Sequence, residues 1–522
     1  MPNLPDSVLS ILDGIGNWET GNQVRILLEK ELHQMKERAS PVAPSKPLDD
    51  HNLLLLTDSY KATHYRQYPP NTTTVYSYFE SRGGKWDSIC FFGLQYIMKR
   101  YLQGKVVTRE KIEEAARVCS THFGDPTMFN RSGWEYILEH HDGHLPVTVK
   151  AVPEGQIVPV SNVLVTIENT DPACFWLPNY LETLLVQLWY PCTVATSSRE
   201  QKKIIAHWLA QTGSNLASLP FKLHDFGFRG VSSVESAGIG GLAHLVNFKG
   251  TDTMAALTVA ERYYGESAAG FSIPASEHST ITSWGINQEV EAFKNMLEKY
   301  PTGVVACVSD SWNIFEACEK WATDLREAIE SRDGTLVVRP DSGDPVETVC
   351  KVLDILESGR NPKDGGKPNR GFQTSKTSTG HKLLPKCIRV IQGDGIDLEC
   401  MDLILKTMAA RGWAAENVAF GSGGGLLQKV NRDTCQFAFK CSFAVVNKLG
   451  REVFKDPATD PGKRSKKGRL VLVSDTGSLK TVNSPNFPDS AVYSADILVE
   501  VFRNGKILKE WTLSEIRERA KL

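Results

Sequence analysis

Nothing in this 522-residue chain stays apolar for long. Its longest hydrophobic stretches, such as Leu53–Leu56 and Leu470–Val473, are far short of the roughly 20 residues that span a bilayer. Residues 1–20 lack the basic start and apolar centre of a secretory signal, so the protein is expected to remain in the cytoplasm. The 11 cysteines form no CxxC pair and no cluster with histidine, which argues against a zinc site or a disulfide framework and predicts reduced thiols. With a net charge of −2, the chain lacks the basic excess that nucleic acid or an anionic membrane surface demands. Walker A and GxGxxG motifs, internal repeats and low-complexity tracts are also missing.

What is present is ordinary in proportion, 41% hydrophobic and 23% charged, over a length that suits roughly two to four domains. Residues 1–47 read as an N-terminal arm: one amphipathic helix, about Gln23–Glu37, then a connector carrying Pro41, Pro44 and Pro47. Residues 48–190 mix strand-like runs (Thr74–Phe79, Val147–Val152, Val163–Glu168) with helix-like ones (Arg109–Cys119, Trp176–Leu188). Residues 430–522 are again rich in strand signals, near Leu470–Ser474, Ile497–Phe502 and Lys506–Trp511. The two segments together predict a β-rich α+β domain that the C-terminal strands return to complete.

The stretch 191–429 differs. Short apolar runs alternate with helix-length amphipathic segments, the pattern of a parallel sheet with crossover helices. The runs are Phe221–His224, Leu242–Phe248, Phe271–Ile273, Gly303–Val308, Leu336–Val338, Ile388–Ile391 and Val418–Phe420. Val346, Val349, Val352, Leu353 and Leu356 recur at helical spacing behind an Asp344-Pro345 start signal, as do Ile314, Phe315, Cys318, Trp321, Leu325 and Ile329. An irregular TIM-like α/β barrel is favoured over an open sheet, because polar residues follow every run instead of gathering at one switch point. The polar stretch Ser358–His381 interrupts the rhythm and reads as a lid, a surface hairpin or a disordered insert.

Every run stops at reactive or flexible residues: Asp225–Arg229, Lys249–Asp252, Glu277–Ser279, Ser309–Ser311, Arg339–Gly343, Gln392–Gly395 and Gly421–Gly425. A single polar strand end is most often a helix cap; seven in series, with Arg229, Arg339, His278 and several aspartates, point to the site that barrels build at these ends. Arg339 and Asp341 share a face if the strand continues, giving either a salt bridge or an anion-binding fork beside a carboxylate. Gly393-Asp394-Gly395 and Gly421–Gly425 close the series, where barrels often hold a phosphate on backbone N–H groups. The basic run Lys463–Arg469 reads from composition as a solvated turn.

These strings resemble, in order, the nicotinate/nicotinamide phosphoribosyltransferase family of type II phosphoribosyltransferases. The resemblance runs from Thr57–Tyr65 to about Ala520 through His224–Arg229, Asn247–Asp252, Glu277–Thr280, Val338–Gly343, Val390–Gly395, Gly421–Lys429 and Lys455–Arg469. It implies a homodimer with shared sites that joins nicotinamide to phosphoribosyl pyrophosphate, with Mg²⁺ and with ATP hydrolysis coupled through a phosphohistidine at His278. It implies a pyridine ring between Phe226 and Tyr60 of the other subunit, with Asp252 on the carboxamide and Arg339 and Asp341 in the same pocket. It places Arg229 and His278 by the pyrophosphate and Gly393, Asp394, Gly423, Gly424 and Arg432 on the ribose phosphate. Arg82, Lys440, Lys455 and Lys463 would complete the anion site, some of them across the interface. Nicotinate transfer and an idle binding or signalling protein are the alternatives. Ala306 stands where relatives carry serine, and Phe228 replaces a tyrosine. The segment after Arg82 is short, the insert after Ser358 differs, and the arm has no counterpart.

Overall fold

The computed structural model describes residues 51–360, 371–459, 464–475, 477–484 and 495–522. The N-terminal arm with its expected helix, the middle of the Ser358–His381 insert and Lys463 lie outside the described residues.

Chain segments far apart in sequence build one antiparallel sheet. Its strands run in the order Leu449–Glu452, Phe437–Val446, Thr72–Ser81, Val163–Asn169, Val147–Ala151, Val499–Arg503, Lys506–Ile507. Val499–Arg503 returns beside Val147–Ala151, as the C-terminal strand signals suggested. Leu470–Asp475 does not join: it pairs with Ser478–Asn483 as a separate ribbon. Arg464–Arg469 is no free solvated turn either, since Arg469 pairs with Glu168 at 2.5 Å and Lys466 with the buried Glu80.

The second sheet is parallel throughout, in the order Gly250–Thr251, Leu223–Asp225, Val418–Ser422, Ile388–Gln392, Asp333–Arg339, Thr302–Val308. The segment 271–275 closes the curl between its two edges. Thr251 N–H donates to Phe271 O at 3.0 Å on one side, and Ala306 N–H to Pro274 O at 2.9 Å on the other. The result is an irregular barrel, its closing segment held to each sheet edge by a single bridge. Leu242–Phe248, expected as a strand, instead ends the helix Val234–Leu245, which Ser233 caps by accepting the Ser236 N–H. The helix is apolar on nearly every face and buried, so its sequence carries no alternation to tell it from a buried strand. The true strand there is only Gly250–Thr251.

Helices pack outside the barrel as their periodicity predicts. Asp344 caps Pro345–Ser358 by accepting the Glu347 N–H at 2.9 Å, and Asp397 caps Leu398–Ala410 in the same way. The Ile314–Ile329 pattern is two helices, Ile314–Ala322 and Arg326–Ser331. Within the insert, Ser375–Lys376 and Lys382–Leu383 form a small hairpin. A 23-residue helix, Trp189–Gln211, touches both sheets' surroundings: Thr196 Oγ1 accepts Cys90 N–H at 3.0 Å, and Trp208 Nε1 donates to Asp402 at 2.7 Å. Residues 53–522 form one compact unit. All eleven cysteines are unpaired, and no described helix is long and apolar enough to cross a membrane.

Candidate active site

The strand ends of the barrel converge on one cleft of ≈ 630 Å³, lined by Phe226, Arg229, Asp252, Arg339, Asp341, Gly393, Asp394, Gly423 and Gly424 among others. Every one of these nine was singled out in the sequence. A parallel barrel points all its C-terminal strand ends the same way, so residues one or two places beyond each strand meet over the barrel mouth.

At one end of the cleft Phe226 N–H donates to Ser422 O at 2.9 Å, seating its ring over Gly421. A Cβ on Gly421 would fall 1.9 Å from Phe226 Cε2, so only glycine fits under the ring. That corrects the reading of Gly421–Gly425 as a phosphate cradle alone: its first glycine makes room for an aromatic face. Asp252 is exposed to the cleft, and the Ser272 hydroxyl donates to its Oδ1. Phe226 packs with small or slender apolar side chains, Ala306, Val337, Ile391, Ile273 and Ala419, and its ring lies 6.2 Å from that of His224.

At the other end, Arg339 Nη2 pairs with Asp341 Oδ2 at 3.2 Å. The buried Nε of the same guanidinium has no protein partner among the described residues. Gly393 is near both ends: a Cβ there would lie 3.5 Å from Phe226 and 3.6 Å from Asp341. Gly424 has nothing within 4 Å of its Cβ position, so a ligand can approach its backbone closely.

His278 stands at the rim. Its Nε2 lies 2.9 Å from Asp310 Oδ1, and Asp310 Oδ2 accepts the Asp341 backbone N–H at 3.2 Å. Asp310 was visible only as one more polar strand end; its link between His278 and the cleft was not. Ser272 carried no signal at all, being part of a segment expected to be a strand.

Tyr60, Arg82, Arg432, Lys440 and Lys455 are not in this cleft. They gather in a second hollow of ≈ 660 Å³ against the antiparallel sheet, with Glu182 and Asp433. Arg432, which the resemblance groups with the phosphate glycines, lines this hollow beside the basic set. Tyr60 is 57% exposed and edge-on to His64. Burial lowers the Lys440 pKa against the pull of Glu182, and Arg82 and Lys455 add repulsion. Burial also works against the Arg82 cation, but its 2.9 Å ion pair with Glu80 outweighs this and its pKa rises. A cluster of cations held at this cost is suited to an anion.

Fold and cleft together give a barrel whose mouth gathers arginines, aspartates and glycines suited to a small phosphorylated molecule. Residues 221–506 match the nicotinate phosphoribosyltransferase (NAPRTase) family, and residues 52–149 match the nicotinamide phosphoribosyltransferase N-terminal domain. A nicotinamide phosphoribosyltransferase of Xanthomonas campestris is 50% identical over 475 residues, covering 90% of this chain and 98% of its own. One of Acinetobacter baylyi is 34% identical, covering 90% and 97%. Human nicotinic acid phosphoribosyltransferase shares the fold at a TM-score of 0.52 with 16% identity, covering 89% of this chain and 93% of its own. The chain belongs to the nicotinate phosphoribosyltransferase family, and it is a phosphoribosyltransferase.

Proposed function

We propose that this enzyme acts in the cytoplasm on nicotinamide, transferring to it the 5-phosphoribosyl group of phosphoribosyl pyrophosphate and releasing nicotinamide mononucleotide and pyrophosphate. The observation that carries the choice of base is Asp252 beside Phe226 in the cleft. An aromatic face suits a pyridine ring. With Ser272 occupying one oxygen, the other Asp252 oxygen accepts from a carboxamide N–H₂ and repels the carboxylate of nicotinate.

The pyridine nitrogen carries its own lone pair, so it needs no general base. The charges that develop are a positive ribose, a pyridinium and a departing pyrophosphate. Asp341 and Asp252 face the first two and Arg229 and Arg339 the third, while the N–H groups at Gly393, Gly423 and Gly424 hold the ribose phosphate. Fixed charges of this kind stabilise the transition state because they need no reorientation during reaction. The described residues contain no group of three or more His, Cys, Asp or Glu able to cage a metal. Asp341 and Asp394 fit the sparser demand of Mg²⁺, which takes one or two carboxylates together with phosphate oxygens. Bound there, it would neutralise the pyrophosphate.

The second hollow supports a homodimer with shared sites. Its tyrosine and four cations complement what the cleft lacks, a second aromatic face and further positive charge. His278, hydrogen-bonded to Asp310, is suited to accept a phosphoryl group from ATP and couple its hydrolysis to turnover. Product analysis with Mg²⁺, phosphoribosyl pyrophosphate and either base tests the reading. Mononucleotide from nicotinamide, increased by ATP, supports it; no mononucleotide from either base would favour an idle binding protein.

A further inference from the structure

Beneath the ring end lies a buried acid to which the reaction gives no task. Asp225 ends the strand Leu223–Asp225 and is 0% exposed. Its side chain folds back on its own turn, Oδ1 accepting the Gly227 N–H at 2.7 Å, and Oδ2 lies 3.5 Å from Thr251 Oγ1. Its backbone carbonyl reaches the other way and accepts the Asp252 N–H at 2.9 Å. One residue is thus bonded both to the turn that carries Phe226 and to the loop that carries Asp252.

The packing around it leaves no slack. A Cβ on Gly241 would lie 3.0 Å from Asp225 Oδ2, and one on Gly227 3.0 Å from Oδ1. Thr251, whose hydroxyl faces Asp225, also accepts the Thr253 N–H at 3.0 Å, which extends the bonding along the Asp252 loop. Burial drives the Asp225 carboxyl up to about 6, against the pull of the Gly227 N–H. A turn alone needs no such acid, since a serine or asparagine caps an exposed turn without burying charge. The groups assigned to the phosphate sit at other strand ends: Gly393 and Asp394 follow Ile388–Gln392, and Gly423 and Gly424 follow Val418–Ser422.

We propose that Asp225 is a positioning residue for the pyridine half of the site, fixing the Phe226 ring relative to the Asp252 carboxylate. The inference rests on the reading that the ring binds between these two. Steady-state kinetics of the full chain test it with Asp225→Ala, Asp225→Asn and Phe226→Ala. Asp225→Ala should raise KM for nicotinamide about tenfold or more, since small misplacements of binding groups are costly, and leave KM for phosphoribosyl pyrophosphate within about twofold. Asp225→Asn, whose amide oxygen still accepts the Gly227 N–H, should recover most of the loss. Equal rises in both KM values, or an Asn variant no better than Ala, would overturn the proposal. Should the Ala variant fail to fold, Thr251→Val must show the same one-sided rise at smaller size, and its absence counts against the proposal. If Phe226→Ala leaves KM for nicotinamide unchanged, the ring placement itself is wrong. If Phe226→Ala raises it and Asp225→Ala does not, only the positioning role fails.

Discussion

His278 and Asp310 are joined by a 2.9 Å contact from Nε2 to Oδ1, and the remaining oxygen of that carboxylate holds the backbone N–H of Asp341. An ionised carboxylate only accepts, so Nε2 is the donor in this contact and Nδ1 is the ring nitrogen left outside it. The same acid ties the histidine to the cleft floor.

Removing this partner should loosen the coupling before it loosens the fold. Asp310→Asn is expected to cut the ATP-driven increment in turnover by about ten- to a hundredfold, the worth of a hydrogen bond to a charged group. His278→Ala should abolish the increment and the phosphoenzyme together, with an unchanged melting curve. Trapping label from γ-labelled ATP on the protein checks both. Persistent label in His278→Ala would place the phosphate on another residue.

Base selection should move with Asp252. In Asp252→Ser the like-charge contact disappears, and discrimination against nicotinate should fall by about ten- to a hundredfold, the worth of roughly 1–3 kcal/mol. Competition between the two bases for limiting enzyme measures it.

The two hollows make a prediction about mixing. Tyr60→Ala and Asp341→Ala disable different halves of a shared site. Each variant alone should be nearly inactive, yet dissociating and reassociating an equal mixture should restore about a quarter of wild-type activity, because half the dimers are mixed and each has one intact site. No recovery would mean that both residues act within one chain.

A stability prediction comes from the turn that follows the strand Val147–Ala151. Glu154 is fully buried; its Oε1 accepts the Gln95 N–H at 2.7 Å and its Oε2 has no hydrogen-bond partner among the described residues. Burial raises its pKa from 4.5 to about 7. A raised folded-state pKa means the native protein holds the proton more tightly, so stability is full below pH 4.5 and lost as pH rises through 7. Glu154→Gln removes that loss, and above pH 7 the variant should be the more stable by up to about 3 kcal/mol. Denaturant unfolding at pH 5 and pH 8 checks it: the gap between variant and wild type should widen with pH.

Much of this site is legible in one dimension because a parallel barrel converts sequence order into spatial convergence. Asp252, Arg339, Asp341, Gly393 and Gly423 each sit just beyond a strand or at its very end, and strand ends can be read from apolar runs. The same logic fails where the pattern is uniform, which is why the end of a helix apolar on nearly every face, Val234–Leu245, reads as a strand. It also fails where neighbours come from distant segments. Tyr60, Arg82, Glu182 and Lys440 meet only after Phe437–Val446 pairs with Thr72–Ser81, and no local spacing announces that pairing. Gly421 looked like an anion-binding glycine; its actual neighbour is an aromatic ring from another strand end.

The most direct measurement is the ratio of kcat/KM for nicotinamide to that for nicotinate, with Mg²⁺ and saturating phosphoribosyl pyrophosphate. The Phe226–Asp252 pocket predicts a preference for nicotinamide of about a hundredfold or more, as expected where the wrong base meets an unpaired like charge. A ratio at or below one would contradict it and make the enzyme a nicotinate phosphoribosyltransferase.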